Sequence, residues 1–349
     1  MSYETFYEDF GYPMTGSKLL KLKDFLNKEQ LSYEEGIEYT INICDSSGNI
    51  AATGSIEGKV LKCIAVSDEY QGEGLSAKIV TNLVTYGISK NLNHLFLFTK
   101  IENIYIFNGL GFYLIAKTNK VALMENKRNG ISDYVKSLKP YGFNTDEVGA
   151  IVVNCNPFTK GHLYLIETAA AECSMLHLFV VSEDKSVFPA DTRYNLVIEG
   201  IKHIKNVVVH PTSDYLISSA TFPTYFIKDK YKAKEINCEL DLSIFCEYFA
   251  KYLNIKKRFI GTEPYDKVTS SYNSQMKEFL GMRGVKVFEI QRYEQNHVPI
   301  SASSVRKLMA EGNYEEIRKM VPEVTYNFLI SEEGLKIAEK IRKLKRNDG

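Results

Sequence analysis

From residue 147 onward the chain alternates strand-length apolar runs with amphipathic helical stretches, and this alternation limits the fold more than any other feature. EVGAIVVNC precedes the helical KGHLYLIETAAAE; LHLFVVS, RYNLVIEGIKHI and NVVVHP follow, and later come KRFIGTE, SYNSQMKEFL, VKVFEIQRY and SSVRKLMAEG. Strands joined through helices run parallel and are covered on both faces, so the pattern predicts an α/β fold with a doubly wound parallel sheet. Ligands of such sheets sit beyond the carboxyl ends of the strands. Residues 211–249 are less regular and predict a helical insertion.

At 349 residues the chain exceeds what one hydrophobic core usually serves. The seam is expected at 131–146, where ISDYVKSLKPYGFNTD mixes Pro, Gly and Asn as a linker does. This gives a first α/β domain over 1–130, the linker, a nucleotide domain over 147–323 and a helical tail over 324–349. In the first domain EYTINICDSS, NIAATGSIEG, LKCIAVS and HLFLFTK read as strands and SAKIVTNLVTYGISK as a helix. Lys plus Arg equals Asp plus Glu at 43 each, which leaves no sequence-wide basic footprint for nucleic acid. The N-terminus has no signal-peptide pattern and no run reaches membrane-spanning length, so the cytoplasm is the expected compartment. Cys44, Cys63, Cys155, Cys173, Cys238 and Cys246 form no CxxC pair and no zinc spacing, and buried reduced thiols are expected. Cys155, two residues before Pro157, reads as strand-end packing rather than as a nucleophile.

Two short segments carry the chemistry. After the strand at 148–154, NPFTKGH turns on Pro157, lets the backbone approach closely at Gly161, and opens a helix whose free N–H groups suit an anion. His162 falls in the first turn, within reach of a phosphate. The plain alternative is a capping Thr159 beside a ligand-free His. ISASSVRKLMAEG starts a second helix with a serine cluster and Arg306 one turn in, a set of donors for another phosphate. Its plain alternative is a capping box with a surface Arg. Neither GxxxxGK[ST] nor GxGxxG occurs.

Together TKGH and ISASSVR resemble the T/HxGH and ISxSxxR signature of the nucleotidyltransferase superfamily, over about residues 147–323. The resemblance implies a Rossmann-like domain binding ATP. It places Thr159 and His162 at the α-phosphate, His162 stabilising charge as pyrophosphate leaves, and Ser303, Ser304 and Arg306 on the β- and γ-phosphates. It also puts Asn156, Phe158 and Gly161 in the ATP site, with Gly261 under the ribose. Mg²⁺ is expected to bridge phosphates, with no protein ligand set for it in the sequence.

In the first domain IAVSDEYQGEGLSAKIV resembles the acyl-CoA loop of GNAT acyltransferases, with Gln71, Gly72, Gly74 and Ser76 in a Q-x-x-G-x-G/A-like pattern. IFNGLGFYLI resembles that family's closing segment. Phe107 stands where many GNAT enzymes carry a proton-donating Tyr, which makes amine acetylation doubtful and leaves binding of a CoA-like arm.

A GNAT-like domain before this nucleotidyltransferase domain resembles the citrate lyase ligase family over nearly the whole chain. That resemblance implies that ATP and acetate give acetyl-adenylate and pyrophosphate. The acetyl group then passes to the thiol of the phosphoribosyl-dephospho-CoA group on the citrate lyase acyl carrier protein, which switches the lyase on. No nucleic acid or membrane partner is implied. Lys160, Arg193 and the run SSATFPTYFIK are candidate helpers; Phe222, Tyr225 and Phe226 read as core, and His203, His210 and His297 as structural. The tail KIAEKIRKLKR reads as a helix with solvated cations. Two rival readings remain: an adenylyltransferase for a phosphorylated cofactor precursor fused to an acetyltransferase, and a sensor that binds nucleotide and acetyl-CoA without turnover.

Overall fold

The computed structural model describes residues 5–138, 147–184, 186–216, 230–262, 267–295 and 298–347. The chain forms two compact units, Met1–Asp133 with Ser219–Ser243, and Tyr134–Ser218 with Ile244–Gly349. Among the described residues no helix is long and apolar enough to cross a membrane. The SSATFPTYFIK run and His297 lie outside the described residues.

The first unit contains β1 (Tyr7–Gly11), α1 (Gly16–Lys28), β2 (Tyr39–Cys44), β3 (Ile50–Glu57), β4 (Val60–Val66), α2 (Leu75–Ser89), β5 (Phe96–Lys100), α3 (Ile104–Gly109), β6 (Tyr113–Lys117) and β7 (Val121–Glu125). These strands form one sheet in the order β1-β2-β3-β4-β5-β7-β6. Its ladders are antiparallel apart from β4 and β5, which pair in parallel at Val60↔Phe96 and Leu61↔Leu97. The amphipathic α2 buries Leu75, Ile79, Val80 and Leu83 in the core on this sheet. Gly54 permits the close approach, since a Cβ there would lie 2.4 Å from Ile79 Cγ2. Phe107 is buried in the same core, so it serves packing.

After α4 (Gly130–Ser137) the second unit begins the alternation read from the sequence: β8 (Val148–Val153), α5 (Lys160–Ala171), β9 (Met175–Val180), α6 (Ala190–Gly200), β10 (Val207–Pro211), α7 (Lys230–Ile244), β11 (Lys257–Gly261), α8 (Lys267–Gly281), β12 (Lys286–Ile290), a short hairpin β13 (Glu294–Gln295) and β14 (Val298–Pro299), then α9 (Ala302–Glu311), α10 (Tyr314–Met320), α11 (Glu323–Leu329) and α12 (Glu332–Asn347). Helix α7, the expected insertion, is grouped for most of its length with the first unit. The parallel sheet has the order β10-β9-β8-β11-β12. Successive strands therefore move outward from β8 in one direction and then resume on its other side at β11. The crevice where that order reverses, at the carboxyl ends of β8 and β11, is where sheets of this kind hold ligands. Gly149 lets β8 pack tightly, as a Cβ there would fall 2.4 Å from Cys173 Sγ and 2.8 Å from Phe259 Cε2.

The C-terminal segment is the helix expected, but not all of its cations are solvated and it packs on the body of the unit. Ala338 and Ile341 of α12 are buried in a cluster with Val305 and Met309 of α9, and Arg342 Nε donates to the Ala310 carbonyl at 2.9 Å. An apolar stripe at i and i+3, with a cation at the last carbonyls of α9, makes α12 a buttress for the helix carrying Arg306.

Candidate active site

Strand β8 ends at the crevice and the chain turns through Asn154–Phe158 into α5. Cys155 is fully buried with φ of 52°, and burial pushes its thiol well above the ordinary thiol value, which removes it as a nucleophile. Phe158, fully buried, stacks near-parallel on the His162 ring with centroids 6.2 Å apart. It occupies space that Gly200 of α6 leaves open, since a Cβ at Gly200 would lie 2.4 Å from Phe158 Cε1.

Thr159 is the N-cap of α5, and its hydroxyl accepts from the His162 amide at 3.3 Å. Reciprocally, the Thr159 amide donates to His162 Nδ1 at 3.1 Å, a capping box closed by imidazole in place of the usual carboxylate or amide. A backbone N–H can only donate, so Nδ1 carries the lone pair and the proton of the neutral ring sits on Nε2. Burial, and secondarily the charge of Arg292, pulls the pKa of His162 down to about 4. The ring is thus a neutral donor. Thr159 is itself buried, its hydroxyl 2.9 Å from Nδ1, so in this arrangement it fixes the ring.

The second motif meets the first. Ser301 caps α9 by accepting from the Ser304 amide at 3.0 Å, which sets Ser303 and Ser304 in the first turn. A Cβ on Gly161 would lie 3.1 Å from the carbonyl oxygen of Ile300, the residue before that cap. Arg306 donates through one terminal nitrogen to the Asn156 carbonyl and through the other to Ser303 Oγ at 3.2 Å. NPFTKGH and ISASSVR, 150 residues apart at Asn156 and Arg306, therefore form one surface in which the amino ends of α5 and α9 converge. Both ends present backbone N–H groups and a positive dipole to the same region. Gly261 closes β11 at the neighbouring strand end, with open space where its Cβ would be and its carbonyl accepting from Asn273 Nδ2 at 3.3 Å.

Residues 148–329 match the model of the citrate lyase ligase C-terminal domain. A citrate (pro-3S)-lyase ligase of Klebsiella pneumoniae is 43% identical over 311 residues, covering 88% of this chain and 91% of that protein. The chain belongs to the citrate lyase ligase family. The ligase of Escherichia coli K12 is 39% identical, over 89% of this chain and 90% of that one. Among solved structures, an acyl-CoA N-acyltransferase from Pseudomonas aeruginosa is similar to 36% of this chain over 99% of its own, at 12% identity and a TM-score of 0.31.

In this member of the citrate lyase ligase family two further arginines shape the site. Arg292, absent from the sequence reading, follows β12, where its Nε donates to the Thr262 carbonyl at 2.7 Å and its amide to Thr262 Oγ1 at 3.1 Å. Its neighbour Tyr293 packs on Tyr164 of α5 with ring centroids 5.4 Å apart, so this segment lies along the helix that carries His162. Arg193, a candidate helper in the sequence, is fully buried and donates to loop carbonyls. Lys160 turns aside, its ammonium donating to the Lys319 carbonyl at 2.7 Å. His203 sits at the surface against Glu167 at 2.8 Å. His210 pairs with His177 at 2.9 Å inside the sheet, a structural place.

In the first unit the loop at 71–76 leads into α2. Gly72 and Gly74 have φ of +92° and +73°, with open space where side chains would project, so conformation and not crowding demands glycine. Gly74 is the N-cap of α2 and offers no side-chain cap; the Ala77 amide donates to the Gly74 carbonyl at 3.1 Å, which leaves the amides of Leu75 and Ser76 to another acceptor. Gln71 is held by Asp68, with Nε2 donating to Oδ1 at 2.6 Å, and Ser76 sits half-buried in the first turn of α2.

Proposed function

We propose that the second unit forms acetyl-adenylate from ATP and acetate, and that the acetyl group then passes to the thiol of the prosthetic group on the citrate lyase acyl carrier protein. Family membership gives the overall activity, ATP-dependent acetylation that activates citrate lyase. The observation that carries the site assignment is the convergence of the α5 and α9 amino ends at the switch point of the parallel sheet.

In the first step an acetate oxygen bonds to the α-phosphorus, the bond to the bridging oxygen breaks, and pyrophosphate leaves with that electron pair. His162 Nε2–H donates to the α-phosphate without surrendering its proton, while Thr159 holds the ring. Arg306, Ser303 and Ser304 hold the β- and γ-phosphates, Asn156, Phe158 and Gly161 shape the loop, and Gly261 leaves room beneath the ribose. Charge stabilisation by fixed donors suits phosphoryl chemistry, which needs no protein nucleophile. In the second step the thiol sulfur attacks the acetyl carbonyl carbon, AMP departs, and the thiol proton goes to solvent. The Gln71–Ser76 loop, with the free amides of α2, is assigned to the pyrophosphate of the CoA-like arm. Mg²⁺ would arrive with ATP, bridging its phosphates and neutralising their charge. The six unpaired cysteines suit a reducing cytoplasm.

ATP–pyrophosphate exchange measured with formate, acetate, propionate and butyrate tests the reading. Exchange that depends on acetate and falls with chain length is expected. Exchange that ignores carboxylates and requires a phosphorylated cofactor precursor would point to a plain adenylyltransferase, and tight nucleotide binding without exchange to a sensor.

A further inference from the structure

The guanidinium of Arg193 has no solvent access, yet it directs hydrogen bonds to five oxygens: the Phe188 carbonyl at 3.0 Å, the Asn154 carbonyl at 3.0 Å and its Oδ1 at 2.7 Å, the Val181 carbonyl at 2.6 Å and the Glu183 carbonyl at 2.7 Å. The location explains the cluster. Strands β8 and β9 pair as far as Val153↔Val180, after which their chains separate into the loops that rim the crevice. Carbonyls leaving a ladder away from water need donors. One planar guanidinium rising from α6 supplies them for both loops, at the cost of burying a cation.

The network continues to the site. Phe188, whose carbonyl Arg193 holds, donates its amide to Asn156 Oδ1 at 3.1 Å. The carbonyl of that same Asn156 accepts from Arg306. Asn156 is thus held by its side chain through Phe188 and Arg193, while its carbonyl aims the Arg306 side chain.

We propose that Arg193 is a positioning residue for pyrophosphate departure, acting through Asn156 on Arg306. The inference rests on the assignment of Arg306 to the β- and γ-phosphates. Lysine at 193 retains a cation but reaches fewer carbonyls, so the Asn156 loop loosens while the charge stays.

The experiment is a double-mutant cycle on acetate-dependent ATP–pyrophosphate exchange with the full chain, using Arg193→Lys, Arg306→Lys and both together. Arg193→Lys is expected to lower kcat/KM for ATP about tenfold in the wild-type background and by no more than about twofold when Arg306 is already lysine. The same factor in both backgrounds would overturn the inference, since a general loss of structure does not depend on Arg306. Full exchange by the single Arg306→Lys variant would instead remove Arg306 from phosphate binding, and the inference with it. If Arg193→Lys does not fold, Asn154→Ala serves in its place. It removes one acceptor at an exposed position and is expected to give a smaller loss with the same dependence on Arg306; independence overturns the proposal there too. Adding guanidinium ion to Arg193→Ala is a further check, with partial recovery of kcat/KM expected and no recovery counting against the proposal.

Discussion

Because the Thr159 amide is bonded to Nδ1, the proton of His162 must lie on Nε2, the nitrogen left for a ligand. The pKa of about 4 fixes the sign of the pH effect. Lowering pH from 8 to 5 leaves the ring neutral, and only as pH approaches 4 does it gain a proton, with Nδ1 then forced off the Thr159 amide. An acid limb of kcat/KM due to His162 is therefore expected near pH 4. A fall in kcat/KM as pH rises through about 6.5, absent in His162→Gln, would instead show an imidazolium at work. His162→Ala should lower exchange by about 10² or more, the scale of an oxyanion-hole donor, far beyond the modest loss of stability expected from opening the α5 capping box. Near-normal exchange by that folded variant would remove His162 from the reaction. The TKGH and ISASSVR residues were legible because their chemistry is local: a cap, a glycine and first-turn donors within a few positions. Arg193 was legible only as a candidate helper and Arg292 not at all, because what they hold are carbonyls of loops brought near by strand order, a relation that no local spacing encodes.

Among the elements, alternation revealed the parallel sheet because β8 and β9 are apolar almost along their length and strand-length runs keep alternating with helical ones. The short β13–β14 hairpin, β1 and α10–α11 carry too few residues to establish a period. The tail read as a helix with solvated cations; its cations mask the sparse stripe through Ala338 and Ile341, which is what packs on α9. The contact between α6 and the nucleotide loop is equally silent in sequence, since Gly200 looks like an ordinary helix end. Gly200→Ala would drive a methyl group against the Phe158 ring, which is fully buried and backed by the β8–β9 core. A loss of about 1–3 kcal/mol is expected from such overpacking, measurable by urea denaturation. Exchange should fall beyond what the unfolded fraction explains, because Phe158 stacks on His162 and immediately precedes its cap. Unchanged stability would mean that the ring shifts freely and does not hold the loop.

At the scale of the whole molecule, each of the two units carries a loop assigned above to an anion, and the two are built on different backbones. The second unit uses paired helix ends at a parallel-sheet switch point. The first uses a left-handed Gly-x-Gly turn before α2, beside the strands β4 and β5 that pair in parallel at their starts. Both loops were legible as motifs, but the strand orders behind them required the structure. If the Gln71–Ser76 loop receives the CoA-like arm, the two half-reactions should respond to different substitutions. Valine at Gly74 must take φ near +73°, a conformation costing a β-branched residue about 1–2 kcal/mol or more, although nothing crowds its side chain. The turn should relax and swing the first amides of α2 away from a bound pyrophosphate. Gly74→Val is therefore expected to leave acetate-dependent ATP–pyrophosphate exchange nearly unchanged and to weaken acetyl transfer to the carrier thiol, chiefly by raising the KM for the carrier. Gly74→Asn should keep more of that transfer, since asparagine tolerates the left-handed region. Loss of both activities together in a folded Gly74→Val protein would contradict the division of labour. Normal transfer would mean that the first unit has kept the turn without the ligand, and that the second accepts the prosthetic arm by itself.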